Sequence, residues 1–272
     1  MSLDQMLEPG VVIRHSPVET DRFGHTIDRV TIGPGPVDAD RLSAVIQGLS
    51  ASVLIVRYDA ARLEVPGILA RSPRALLPAG ALTYWEKAVA VVEPVEESNI
   101  QVLPANTLDP ETVCGLVRRI VEASFQDYGN HYMANPLLDR SAALAGYVDW
   151  AVRTVKRDPA NVLVMTDRGE LIGLATLEAG ADGRHVEILL AGLVPTAQGK
   201  GMYGSLLDEC ERVAAAHGAR RMVISTQVHN VRVQRAWARH GLRPFAAIET
   251  VHLIDRDLLL ASHGKEDSWS AR

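Results

Sequence analysis

An apolar run, a glycine-rich turn and a helical pattern follow one another in "AGLVPTAQGKGMYGSLLDECERVAAAHG", residues 191–218, a succession that confines the chain to folds mixing strands with helices. Gly199, Gly201 and Gly204 form the spacing G-x-G-x-x-G. Small residues there let the backbone N–H groups from Gly199 to Gly204 point at an anion, and the positive end of the helix starting near Met202 adds to the attraction. Leu206, Leu207, Cys210, Val213 and Ala214 line one face of that helix, and Gly218 stops it.

Two common phosphate-binding readings fail on this stretch. A dinucleotide site needs an acid at the end of the next strand, roughly 20 residues on, to hold the ribose hydroxyls. No Asp or Glu occurs between Glu211 and Glu249, and the strand "RRMVISTQV" ends at Ser225-Thr226-Gln227. A P-loop requires Ser or Thr after Gly-Lys, whereas Gly201 follows Lys200. Backbone amides facing a phosphate remain.

The segments around the loop have strand and helix periodicities in a definite order. "IQVLPAN" reads as a strand and "DPETVCGLVRRIVEASF" as a helix with Pro110 in its first turn; "LLDRSAALAGYVDWAVRTVKR" is a second helix. Three strands follow, "NVLVMTD", "LIGLATLEAG" and "HVEILLAGLV", turned at Arg168-Gly169 and at "ADG". After the glycine loop and its helix come the strand at 220–228, a helix that Asn230 caps and Gly241 ends, and the last strand "FAAIETVHLI". Upstream, residues 1–97 read as a smaller unit: strands "VVIRH" and "RVTIG", a helix in "DADRLSAVIQGLS", the buried strand "ASVLIVRYD" and a closing strand in "GALTYWEKAVAVVEPVEES". The expected organisation is a unit over 1–97, joined near Pro94 to Asn99 to a second over 98–262, with a polar flexible tail at 263–272.

Composition narrows the partners. With 47% hydrophobic and 22% charged residues the chain of 272 has enough apolar material for a core. A net charge of -5 without runs of Lys and Arg argues against nucleic acid. No apolar run approaches the roughly 20 residues that cross a bilayer, and "MSLDQMLEPG" lacks the pattern of a secretion signal, so no membrane partner and a cytoplasmic location are expected. Cys114 and Cys210 read as small buried hydrophobes, and no metal site is expected.

Read six residues at a time, "QGKGMY" (198–203) matches the Q/R-x-x-G-x-G/A signature of the GNAT N-acetyltransferase superfamily at Gln198 and Gly201, and departs from it at Tyr203. The order of strands and helices resembles that superfamily's, and "N-x-x-V-x-x-A-W-x-x-x-G-L" from Asn230 to Leu242 is similar to its "N-x-x-A-x-x-x-Y-x-x-x-G-F". The resemblance covers residues 100–257. Within the superfamily, "ETDRFGHTIDRV" (19–30), "FQDYGNHYMANP" (125–136) and "YVDW" (147–150) resemble segments of the dTDP-fucosamine and related nucleotide-amino-sugar acetyltransferases, which also carry a reduced GNAT-like unit first. The fold implied is α+β, a mixed sheet with splayed central strands, preceded by a smaller GNAT-like α/β unit.

The resemblance implies acetyl-CoA or another acyl-CoA as co-substrate and a small-molecule amine as acceptor, a nucleotide-linked amino sugar above others; a homodimer is compatible with it. Its pyrophosphate would lie on the amides of Gln198, Gly199, Lys200, Gly201, Met202, Tyr203 and Gly204. Leu193 and Val194 would offer backbone groups to the pantetheine, and Asn230 would both cap its helix and reach CoA. Glu187, on the strand before the loop, stands where several members carry a general-base glutamate. Strand alternation would put it on one face with Leu189, Ala191 and Leu193, and a carboxylate beside apolar neighbours has a raised pKa. The family's usual tyrosine, which protonates the departing thiolate, is Trp237 here, and an indole N–H donates a hydrogen bond without giving up its proton. His229 is the leading stand-in, with Tyr203, His240 or water as others. Tyr128, His131 and Tyr132 are the acceptor candidates, since sugar and base rings stack on aromatic faces. N-acetylation of an antibiotic, polyamine or protein N-terminus, and a CoA-binding module that has lost catalysis, are the competing readings.

Overall fold

A single ten-stranded mixed sheet runs through the computed structural model, which describes residues 2–90, 100–125 and 129–266. Its strands are β1 Val11–His15, β2 Ile27–Ile32, β3 Val53–Asp59, β4 Ala75–Ala88, β5 Ile100–Pro104, β6 Val162–Asp167, β7 Glu170–Ala179, β8 His185–Leu193, β9 Arg221–Gln227 and β10 Arg243–Ile254. The helices are α1 Leu3–Leu7, α2 Pro17–Phe23, α3 Ala39–Gly48, α4 Glu64–Leu69, α5 Pro110–Phe125, α6 Arg140–Arg157, α7 Tyr203–Ala216, α8 Val231–Arg239 and α9 Arg256–Glu266. The segment Pro94 to Asn99, where the sequence places a linker, and Tyr128 lie outside the described residues. Among those described, no helix is long and apolar enough to cross a membrane.

The spatial order β1-β2-β3-β10-β4-β9-β8-β7-β6-β5 is not the chain order. The last strand, β10, inserts between β3 and β4, while β4 lies between β9 and β10. Each half of the chain therefore completes its sheet with a strand of the other. Backbone ladders on both sides of β4 and β10 tie the halves together, which is a stronger join than side-chain packing across a domain boundary.

The α5–α6 pair and α7 pack around β6–β9 in the largest core cluster, with Val117, Ile120, Leu174, Leu207, Cys210 and Met222 fully buried. A second cluster lies under α3 and α4 and includes Val56, Leu69 and Leu253. On the opposite face of β3, α2 and the start of α6 meet over Ile27, Val53 and Ile55. Residues of α2 and of the stretch before α6 make this join. Glu19 on α2 accepts a hydrogen bond from the Tyr132 hydroxyl and one from Arg29 Nε at 2.6 Å. Phe23 packs on Tyr132 at 5.2 Å, and the Arg22 guanidinium lies against Gly146, where a Cβ would come within 2.2 Å of Nη1.

Burial alone would raise the pKa of Glu19, but hydrogen bonding and the charge of Arg29 prevail, with Tyr132 adding to them, and hold it at about 2 against an ordinary 4.5. A depressed carboxylate stabilises the fold fully above its unfolded pKa, and that contribution disappears as pH falls from 4.5 towards 2. The difference corresponds to about 3 kcal/mol. Glu19→Gln is expected to lower stability by about 2–3 kcal/mol at pH 7 and by little near pH 2, as read from denaturant midpoints.

Candidate active site

The site begins where two parallel strands part. β8 and β9 pair only from His185 to Ile188 against Arg221 to Ile224. Beyond Ile188, β8 stays with β7, and a bulge leaves Leu189 without a register partner between the pairs Leu177–Ile188 and Thr176–Leu190. A gap between Leu189–Leu193 and Ser225–Gln227 results. The bulge also breaks the alternation read from sequence: Glu187, Leu190 and Gly192 stand opposite Glu178, Thr176 and Leu174 on one face, and Ile188, Ala191 and Leu193 opposite Leu177, Ala175 and Gly173 on the other, so Leu193 does not share a face with Glu187.

The glycine loop closes the open end of this gap. Gly199 and Gly201 adopt φ of +76° and +81°, a left-handed backbone that a Cβ would strain. This geometry is why the positions hold glycine. The N–H groups of Gly199, Lys200, Gly201 and Met202 make no backbone hydrogen bond, and α7 begins at Tyr203 with no side chain capping it. Four amides at a bare helix start form a cradle for an anion. Gln198 is placed differently from the others: its own N–H bonds Pro195 O at 3.2 Å, and its side-chain Nε2 donates to Leu193 O at 3.0 Å. The Val194 N–H is taken by Ile172 O at 2.8 Å, and Gly204 N–H by Gly201 O at 3.3 Å. Lys200 is exposed and Met202 packs against the core.

Glu187 is 3% exposed, and burial pushes its pKa up to about 7 although the Leu3 N–H, donating to Oε2 at 2.7 Å, works the other way. It sits beside Val223 in register and near Tyr84, whose hydroxyl pKa is raised by burial and by the Glu187 charge. Tyr84 lies opposite Ser225 on the strand that lines the far side of the gap. The short helix α1 covers this face through Leu3 and Met6, an arrangement no periodicity in the first ten residues reveals.

Trp237 is 2% exposed, edge-on to Trp85 at 6.1 Å, and its Nε1 donates to the Tyr203 hydroxyl at 3.3 Å. That bond fills a lone pair on Tyr203 and leaves its O–H free to donate, while burial raises its pKa. Asn230 begins α8 without capping it by side chain; its Nδ2 donates to Thr226 Oγ1 at 3.0 Å. His229 is exposed and close to Gly129, whose Cβ would fall 3.2 Å from Nε2. His240 lies 3.3 Å from Asp208, and with Glu211 these bring ligand atoms within 4.8 Å of one another, but Lys87 Nζ already neutralises Glu211 at 2.6 Å.

His131 and Tyr132 are 4% and 6% exposed, inside the protein rather than on a cleft. His131 Nδ1 meets His252 Nε2 at 3.1 Å, and burial, reinforced by Arg57, drives both imidazoles to low pKa, His252 to about 3. Two neutral rings sharing one hydrogen bond suit an interior. The sequence marked these residues as a cluster of aromatics, and the cluster is a packing one.

The first half of the chain has its own parallel pair, and the contrast locates the site. β2 and β3 stay paired over all six residues of β2, leaving no gap. The loop after β2 is Gly33-Pro34-Gly35-Pro36, in which the prolines have no N–H. Arg62 binds the carbonyls of Gly33 and Gly35, each at 2.6 Å, and Asp38 caps α3 with a carboxylate. An anion would be repelled there.

Residues 118–242 match the family model described as the Acetyltransferase (GNAT) family. The matched stretch holds both the parted strands and the glycine loop. Among solved structures, a GCN5-related N-acetyltransferase from Sphaerobacter thermophilus is similar at 14% identity and a TM-score of 0.61, covering 90% of this chain and 76% of that one. A GCN5-related N-acetyltransferase from Kribbella flavida is similar at 13% identity and 0.56, covering 84% and 81%. A tandem GNAT protein from the clavulanic acid biosynthesis pathway, at 13% and 0.50, covers 84% and 75%. These identities speak for a shared fold. None of the curated proteins matches the chain.

Proposed function

We propose that the chain transfers an acetyl group from acetyl-CoA to the amine of a small molecule by direct attack in a ternary complex. The observation that carries this reading is the coincidence of three features at one place: parted parallel strands, a cradle of free amides and a buried carboxylate with its pKa near neutrality. The GNAT chemistry of the domain calls for all three.

In this reading the pyrophosphate lies on the amides of Gly199 to Met202, and the pantetheine passes into the gap beyond Ile188. Glu187 takes a proton from the ammonium or attacking amine, the nitrogen lone pair forms the C–N bond, and the C–S bond breaks to give a thiolate. Tyr203, held by Trp237, is the hydroxyl near the loop that could return a proton to sulfur; His229, two residues beyond the end of β9, is the alternative. The amino-sugar acceptor implied by the sequence resemblance draws no support from His131 and Tyr132, whose polar atoms are engaged inside the join between the halves.

The N-terminal half, with its closed strand pair and proline-interrupted loop, should bind no CoA. Calorimetric titration with acetyl-CoA is expected to give one site per chain; two equivalent sites would defeat the assignment.

A further inference from the structure

A cavity of about 450 Å³ opens between α1, the β2–α3 loop and the start of β10. Leu3, Met6, Ile32, Phe245, Ala246 and Ile248 form its apolar wall. Four of these, Leu3, Met6, Ala246 and Ile248, also belong to the cluster with Tyr84 and Val223 around Glu187. Leu3, which lines the cavity, is also the residue whose backbone N–H bonds that carboxylate. Two exposed large apolar side chains, Leu7 and Phe245, line the cavity too, and Phe245 meets Tyr84 edge-on at 6.3 Å.

The charged groups of the cavity exclude some ligands. Arg62 spends its guanidinium on two carbonyls and on Glu64, 3.4 Å from Nε, so its charge is answered locally. Asp59 adds a further negative charge, leaving the lining acidic by one. A phosphate or carboxylate would be repelled, whereas an ammonium is attracted.

We propose that this cavity is the acceptor pocket, and that it takes an amine with an apolar carbon body and no anionic group. The proposal rests on the reading of Glu187 as the base. The Leu3 N–H, 2.7 Å from Oε2, marks the position of the amine donor, and the amine reaches Glu187 by replacing it as the first turn of α1 moves aside. A five-residue helix without a side-chain cap has little stability of its own to oppose that movement.

The test uses the full chain with acetyl-CoA and four acceptors: phenethylamine, spermidine, glucosamine and a nucleotide-linked amino sugar. Phenethylamine should have the highest kcat/KM, at least tenfold over the others. Leu7→Arg, at an exposed position, should raise its KM at least tenfold, with the KM for acetyl-CoA unchanged; Ala246→Phe, which fills the cavity, should do the same. A calorimetric titration of phenethylamine in the presence of CoA should show binding that Leu7→Arg weakens equally. The proposal is overturned if phenethylamine does not bind, if the nucleotide-linked sugar is the best acceptor, or if Leu7→Arg leaves the amine KM unchanged. Failure of acetyl-CoA itself to bind would instead remove the acetyltransferase reading.

Discussion

Glu187→Gln should lower kcat/KM at pH 7.5 by about 10²- to 10⁴-fold, the usual contribution of a positioned general base, and should make the folded protein more stable at the same pH. Both effects come from one carboxyl. Its pKa is pushed up to about 7 from an ordinary 4.5, so the folded chain binds the proton more tightly than the unfolded one does. The wild-type protein therefore loses stability as pH rises from 4.5 through 7, by about 3 kcal/mol in all. A neutral glutamine escapes that cost and keeps an oxygen for the Leu3 N–H. Thermal melts should show the variant ahead at pH 8 and level with wild type near pH 4. In the rate profile, wild-type kcat/KM should rise through pH 7 as the carboxylate forms, and the variant should lack that limb. A variant with the same limb and no gain in stability at pH 8 would mean that Glu187 neither titrates nor acts as supposed.

Gly201→Trp should weaken acetyl-CoA binding at least 100-fold, about 2.7 kcal/mol, while the protein stays folded. No atom lies within 4 Å of the Cβ position, so the new side chain starts in open space beside the cradle. The φ of +81° adds roughly 1 kcal/mol of backbone strain, a cost a domain of this size absorbs. Binding is read by calorimetry and folding by circular dichroism. A folded variant with wild-type affinity would show that the amides of Gly199 to Met202 do not hold the pyrophosphate.

The features that sequence made legible are those written in short windows. The meander over β6–β8 announces itself by apolar runs and turn glycines, and the loop by Gly199 and Gly201, whose positive φ only glycine adopts without strain. The exchange of β4 and β10 was beyond reach, because nothing in "ALLPAGALTYWEKA" specifies a partner over a hundred residues away; ladders form through backbone groups that every residue carries. One unpaired residue, Leu189, was enough to reassign the faces of β8. His131 and Tyr132 looked like ligand-facing aromatics for a similar reason: an aromatic cluster has the same composition on a cleft and in a core, and Glu19, which binds the Tyr132 hydroxyl, is far away in the chain. Glu187 is the position at which the family resemblance implies a base; the contact that α1 makes with it depends on long-range packing.

The most direct measurement is a crystal structure of the chain with acetyl-CoA bound. The pyrophosphate is expected on the N–H groups of Gly199, Lys200, Gly201 and Met202, with the pantetheine between β8 and β9 beyond Ile188 and the thioester on the Glu187 side of the gap. Acetyl-CoA bound instead along β2 and β3, or outside the parted strands, would contradict the account.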